Sequence, residues 1–303
     1  KRHLFSLLNS NLKIKFNIQV LEKNTKNIQI SKKINTDFSN YIKKYSQICR
    51  STNIVICCTK SYNRDQILRK TLKYCNPKHI ILEKIAFQSM KIYNQMEKFF
   101  NKKKIKVWIN YPLRYQKYYN YLKKLFFKQN NFFTIICKLS KKDDLFSSGI
   151  HYLEFFLDKL KNDVYLEFLQ FKKKNIGNKK LIFFGKFVFS SQLRTIAVIN
   201  GSSDFQQQLN LFGQSNNYKI LFYSNKKNPW ENPKIQIFKN KKKIKTFNHL
   251  WQSQLSSLYL RDIIFKNKCF LPNLNENKKC NELIIDAVKK KLNLKKNNLC
   301  PIT

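Results

Sequence analysis

Residues 53–110, NIVICCTKSYNRDQILRKTLKYCNPKHIILEKIAFQSMKIYNQMEKFFNKKKIKVWIN, decide the fold. The run NIVICCT (53–59) is short, β-branched and apolar on both faces, the pattern of a strand buried on two sides. In NRDQILRKTLKYC, Leu68, Leu72 and Cys75 fall at i, i+4 and i+7, which predicts a helix. HIILE (79–83) predicts a second strand. SMKIYNQMEKFFNKKK sets Ile92, Met96 and Phe99 at helix spacing behind Ser89 as N-cap. IKVWIN (105–110) closes the run as a third strand. Strand, helix, strand, helix, strand with short links is the signature of a parallel, doubly wound sheet. Such sheets bind ligands outside the carboxyl ends of their strands. The residues there are Thr59 and Lys60, Glu83 and Lys84, and Asn110. Lysine is the commonest charged residue of the chain, and topology singles out Lys84 at the ligand edge.

Upstream, IKFNIQVLE (14–22) reads as another strand ending at Glu22. An acidic residue at that place can accept hydrogen bonds from an adenosine ribose, or simply be a surface glutamate. KRHLFSLLNSN reads as a helix of Leu4, Leu7 and Leu8. After residue 111 the texture changes. FFTIICK, DVYLEFLQF, LIFFGKFVF, RTIAVIN, YKILFYS and KIQIF are strand-like runs joined by polar turns, which predicts a large, open, mostly antiparallel sheet. One helix interrupts them, SGIHYLEFFLDKL, with Ile150, Leu153, Leu157 and Leu160 at helix spacing. A last helix, at about 280–292, carries Leu283 or Ile284, Val288 and Leu292, and KNKKKIKTF (239–247) reads as a solvated hairpin. The expected division is therefore 1–110 and 111–303, without internal repeats.

Sixty Lys plus Arg against seventeen Asp plus Glu give a formal charge of +43, which attracts polyanions over a long range. Only seven of the basic residues are Arg, at 2, 50, 64, 69, 114, 194 and 261. Readers of base edges and phosphates favour the guanidinium fork, so a lysine excess spread along the chain argues against a specific nucleic-acid binder. The eight cysteines show no CxxC pair and no zinc spacing with His, so reduced thiols, a cytoplasmic location and no metal are expected. No apolar run is long enough to span a bilayer, and no membrane partner is expected.

Of the four histidines, at 3, 79, 151 and 249, His151 is the candidate for chemistry. It lies off the Ile150/Leu153/Leu157 stripe near a helix start, where the positive end of the dipole favours a neutral imidazole able to take a proton.

In combination, these segments resemble the Gfo/Idh/MocA family of nicotinamide-dependent sugar dehydrogenases over nearly the whole chain. VICCTKSYNRDQIL resembles the strand and turn beside the nicotinamide, and ILEKIAF the Glu-Lys-Pro motif with Ile85 in place of the proline. WINYPLRY resembles the passage into the second domain, GIHYLEFFLD the catalytic-histidine helix, and the LCPIT end that of members found with surface-polysaccharide genes.

The resemblance implies a Rossmann-like dinucleotide-binding part followed by an α+β substrate part that also forms a homo-oligomer through its sheet. It implies NAD or NADP as cofactor, with Thr59 and Lys60 on the nicotinamide half, Glu83 at its ribose, Lys84 also among the cofactor-binding residues, and Glu22 at the adenosine ribose. His151 would be the acid/base for a sugar or sugar-nucleotide hydroxyl, with Lys84 bonded to the reacting oxygen. Asn110, Arg114, Ser147 and Ser148 would face the sugar; the two serines stand where the family often has an acidic residue or Asn. The five glycines (149, 177, 185, 201, 213) include no GxGxxG, and the resemblance puts the glycine loop immediately ahead of residue 1.

Overall fold

A computed structural model describes residues 3, 6–7, 17–22, 39–127, 133–139, 149–160, 165–176, 180–190, 196–201, 208–213, 218–223, 233–295 and 297–302. Among these the helices are α1 (Arg64–Thr71), α2 (Met90–Lys102), α3 (Lys117–Phe127), α4 (Ile150–Leu160), α5 (Gln252–Lys266) and α6 (Leu274–Lys291). Residues 3, 6 and 7 are helical as well.

The class is α/β, as the sequence predicts. Strand β1 (Ile18–Leu21) pairs in parallel with β2 (Ser39–Ile42). A three-stranded parallel sheet orders β3 (Ile54–Cys57), β4 (His79–Leu82) and β5 (Lys106–Ile109), with α1 and α2 in the two crossovers. Strand β4 is central, and Ile80, Ile81 and Leu82 are fully buried. Burial on both faces is why its sequence is an unbroken apolar run rather than an alternation. Register sets Ile56, Ile81 and Trp108 in one row. That row packs against Tyr259, Leu260 and Ile263 of α5 and against Leu271.

The chain divides into two compact units, Lys1–Tyr115 with Trp251–Asn275, and Gln116–Leu250 with Glu276–Thr303. A single cut at 110 therefore differs from the observed division: α5 returns to the first unit because its apolar face covers Ile81. In α1, Leu68 and the following Leu72 and Cys75 are buried as their spacing predicts. The buried face of α2 is Tyr93, Met96 and Phe100, while Ile92 and Phe99 are half-buried. Both triplets satisfy helical spacing, so the spacing alone does not choose between these adjacent faces. Ser89 holds the N-cap position and makes no side-chain cap bond.

The second unit contains an eight-stranded sheet in the order β13-β12-β11-β10-β6-β9-β8-β7. Its strands are β6 (Phe133–Leu139), β7 (Tyr165–Ile176), β8 (Lys180–Ser190), β9 (Ile196–Gly201), β10 (Gln208–Gly213), β11 (Tyr218–Tyr223), β12 (Lys234–Lys239) and β13 (Lys242–Asn248). Every pair is antiparallel except β6 with β9. The lysine-rich hairpin is β12–β13, turning through Asn240 and Lys241 at positive φ. Helix α3 lies on β13 through Tyr118 and Tyr121 against Phe247, and Tyr119 meets Phe155 of α4 edge to face. The last helix starts earlier than expected, at Leu274, and buries Cys280, Ile284, Ile285 and Val288.

Among the described residues seven cysteines are free thiols. None of the described helices is long and apolar enough to cross a membrane.

Candidate active site

The strand ends of the first unit converge on Glu83. The backbone ladder runs past β4 at both sides, with Glu83 N–H donating to the Cys57 carbonyl (3.2 Å) and Asn110 N–H to that of Leu82 (2.8 Å). These bonds fix Glu83 and Asn110 side by side. Asn110, fully buried, donates from Nδ2 to Glu83 Oε1 at 2.7 Å. Its Oδ1 has no hydrogen-bond partner among the described residues, an unused acceptor for a ligand hydroxyl or amide. Gln252 Nε2 lies 3.4 Å from the same Glu83 oxygen.

The strongest partner of Glu83 is His3, a residue that no sequence pattern singles out. His3 Nε2 is 2.9 Å from Glu83 Oε1, and Nδ1 is 2.8 Å from the Tyr259 hydroxyl and 3.0 Å from Ser256 Oγ. Tyr259 in turn donates to Ser256 Oγ (2.8 Å), so its oxygen accepts from His3. Burial alone lowers the His3 pKa, but hydrogen bonds to Cys58 and Glu83 outweigh it and raise the pKa to about 9. Burial likewise raises that of Glu83, and the His3 bond and charge, the Lys84 charge and the Asn110 bond together bring it down to about 2. The pair is an imidazolium and a carboxylate at neutral pH. Cys58, exposed beside them, completes a group whose donor atoms all lie within 4.8 Å of one another.

The loop after β4 is held from below by Arg64. This guanidinium is 1% exposed, and it donates to the backbone carbonyls of Thr59, Glu83, Ile85 and Ala86. One buried cation thus ties the turn after β3 to the turn after β4. Burial lowers the Arg64 pKa, opposed by the charges of Cys57 and Glu83. Lys84 is half-buried between these fixed carbonyls, and the Lys84–Ile85 peptide is cis.

The other residues chosen from sequence fall as follows. Thr59 is half-buried with its hydroxyl 3.3 Å from Cys57 Sγ, and Lys60 is exposed. Glu22 follows β1, half-buried, its N–H on the Ile42 carbonyl at 3.2 Å. Arg114 is half-buried in the turn Pro112–Tyr115. His151 is the second residue of α4, in the second unit, half-buried beside the buried Ile150, Leu153 and Leu157. Glu154, also on α4, is 2% exposed. Ser147 and Ser148 lie outside the described residues. The structure therefore brings Thr59, Glu83, Lys84 and Asn110 to one edge, with His3, Arg64 and Gln252 added. His3 and Gln252 stand too far from Glu83 in sequence for any spacing to reveal them. Arg64 carried one signal, a charged residue opening an amphipathic helix beside a strand end.

No protein-family model matches the chain, and no curated protein matches it. Solved structures do. The 3-ketoreductase KijD10 of Actinomadura kijaniata in complex with NADP superposes with a TM-score of 0.72 at 10% identity, over 95% of this chain and 92% of that one. The UDP-N-acetylglucosamine 3-dehydrogenase GnnA of Acidithiobacillus ferrooxidans gives 0.68 at 10% identity, over 97% and 93%. The dehydrogenase MviM of Clostridium difficile gives 0.68 at 12% identity, over 93% and 91%. The chain shares the fold of these dehydrogenases and reductases. Its parallel sheets and its large mixed sheet both belong to that fold, in line with the resemblance read from sequence.

Proposed function

We propose that the chain is a nicotinamide-dependent oxidoreductase that interconverts a hydroxyl and a ketone on a sugar or sugar nucleotide. The supporting observation is the strand-end edge: Glu83 and Asn110 bonded to each other at 2.7 Å, with Lys84 on a loop that Arg64 fixes through four carbonyls. The Glu83 carboxylate matches a ribose hydroxyl of a nicotinamide nucleoside, and the orphaned Asn110 Oδ1 is left as an acceptor for the substrate sugar. Thr59 and Lys60 would line its other side, and Glu22 would meet the adenosine ribose. The residues present thus fit the nicotinamide and ribose portions of the cofactor.

The bound nicotinamide supplies the hydride acceptor or donor. The protein's own residues handle the proton. His151 takes the proton from the substrate hydroxyl, and Lys84 donates a hydrogen bond to the same oxygen, stabilising alkoxide character as it develops. Glu83, ionised well below neutral pH, keeps a positive Lys84 favourable next to it. Asn110 and Arg114, with Ser147 and Ser148, orient the sugar ring. The C-terminal sheet serves as substrate platform and as the interface of a homo-oligomer. Cell-surface polysaccharide synthesis, in the cytoplasm, is the setting we assign from the resemblance at the chain's end. Fluorescence titration with NADH and NADPH, followed by turnover with sugar nucleotides, tests this reading. Absence of saturable binding at moderate salt would defeat it.

A second reading is a binding or scaffold protein of the same fold whose catalysis has lapsed. Ile85 in the Glu-Lys-Pro position and the two serines, Ser147 and Ser148, ahead of His151 favour it. It predicts dinucleotide or sugar binding without turnover. A basic nucleic-acid binder has no clustered arginines to support it.

A further inference from the structure

The group at His3, Cys58 and Glu83 has a geometry that hydride transfer does not call for. One residue comes from the N-terminal helical segment, one follows β3 and one follows β4. We propose that these three residues form a zinc-type divalent-metal site, open at a fourth position. The inference uses Glu83 but does not rest on the nicotinamide reading.

Donor chemistry comes first. An imidazole nitrogen, a thiolate sulfur and a carboxylate oxygen are the three ligand types that zinc takes, and three protein ligands with one open place is the arrangement of its reactive sites. Geometry follows. With bonds of about 2.0–2.3 Å and tetrahedral angles, ligand atoms sit roughly 3.6 Å apart. Here His3 Nε2 and Glu83 Oε1 are 2.9 Å apart, and no pair in the group exceeds 4.8 Å. The shifts required are therefore on the order of 1 Å, within reach of a side-chain rotation at Cys58 and Glu83. In the metal-free form the His3 Nε2 proton bridges toward Glu83, in the place a cation would take. Binding replaces that proton and the thiol proton, so Nε2 and Sγ enter as neutral imidazole and thiolate.

The surroundings of His3 suit a ligand. Its Nδ1 faces the Tyr259 hydroxyl at 2.8 Å and Ser256 Oγ at 3.0 Å. An outer hydrogen bond of that kind fixes the tautomer with the proton on Nδ1 and leaves Nε2 to point at the metal. Asn110 similarly steadies Glu83 at 2.7 Å. Cys58 is exposed, which gives the ion an entry path from solvent. A metal so placed clips three chain segments together and withdraws Glu83 from any ribose, so metal and dinucleotide compete for one carboxylate.

The test uses the full chain, freed of metal with a chelator, kept reduced and titrated with cobalt(II) and then zinc. One equivalent of cobalt per chain is expected to produce tetrahedral visible bands and a near-ultraviolet thiolate charge-transfer band. Zinc should displace it and raise the melting temperature. Cys58→Ser, at an exposed position, should keep its far-ultraviolet circular dichroism, lose the charge-transfer band and bind at least about 100-fold more weakly, beyond the loss typical of an outer partner. Ser256→Ala should weaken binding by about 10-fold with the band retained. The proposal is overturned if stoichiometric cobalt gives no thiolate band, or if the Cys58→Ser spectrum equals that of the parent. A separate NADPH titration reports on the dehydrogenase reading, so failure of either idea is seen independently.

Discussion

Arg64→Met removes the cation beneath the loop after β4 while keeping similar bulk. The side chain is 1% exposed, and its donors serve the carbonyls of Thr59, Glu83, Ile85 and Ala86. A hydrogen bond from a charged donor contributes about 1.5–3 kcal/mol; three of the four contacts share the two protons of Nη1, so the equivalent of three full bonds would sum to about 5–9 kcal/mol. Against that stands the guanidinium's own desolvation, several kcal/mol, which the variant no longer incurs. The net expectation is a loss of about 3–5 kcal/mol, the range seen when one partner of a buried charged network is removed. For a chain of this length, with a urea slope of about 2–3 kcal/mol/M, the unfolding midpoint falls by roughly 1–2 M. Arg64→Lys has three donors on one nitrogen and reaches at most three of the four carbonyls, so it should lose about half as much. Urea denaturation followed by circular dichroism measures both. A midpoint in Arg64→Met within about 0.3 M of the parent would show that water replaces the guanidinium, and the loop would not owe its position to Arg64.

Three further outcomes follow from the same structure. Lys84→Ala is expected to lower kcat by about 100-fold or more with little change in NADPH affinity, since general acid–base and oxyanion-directed groups contribute on that scale; equal losses in KM and none in kcat would assign Lys84 to binding. His151→Asn should reduce kcat similarly and remove one limb of the pH–rate profile, and unaltered turnover would take the proton-transfer role away from His151. His249, stacked on Tyr118 at an interplanar angle of 20° with Nδ1 3.0 Å from its hydroxyl, has its pKa pushed down to about 4 by burial. Because the folded value lies below the unfolded 6.5, its contribution is complete above pH 6.5. It is lost as pH falls from there to about 4, by at most about 3 kcal/mol. Denaturant midpoints across that window should drop in the parent and stay flatter in His249→Phe; parallel curves would contradict the assignment.

What the sequence made legible was the part whose physics is local. Parallel strands buried on both faces have to be apolar runs, and Ile54–Cys57, His79–Leu82 and Lys106–Ile109 read as such. Their carboxyl ends then named Thr59, Glu83, Lys84 and Asn110 without any coordinates. Strand β2, SNYI, is short and half polar, so it carries no such mark. Strand β10, with Gln208 and Asn210, is polar too, and α5 hides its stripe of Leu255, Tyr259, Leu260 and Ile263 among serines. The meeting of His3, Cys58, Glu83 and Ser256 is tertiary in origin. Nothing at positions 3, 58, 83 and 256 correlates along the chain, and only the closing of α5 over β4 brings them into reach.

Among the described strands, β13 and β7 are the outer two of the eight-stranded sheet. An outer strand offers unpaired backbone groups to any passing chain, and lysines there are the common guard against fibre growth. Both outer strands carry them: Lys242, Lys243 and Lys245 on β13, all exposed, and the run Lys172, Lys173 and Lys174 within β7. Two copies meeting rim to rim would bring like charges together. The excess positive charge thus works against endless lateral stacking at these two rims.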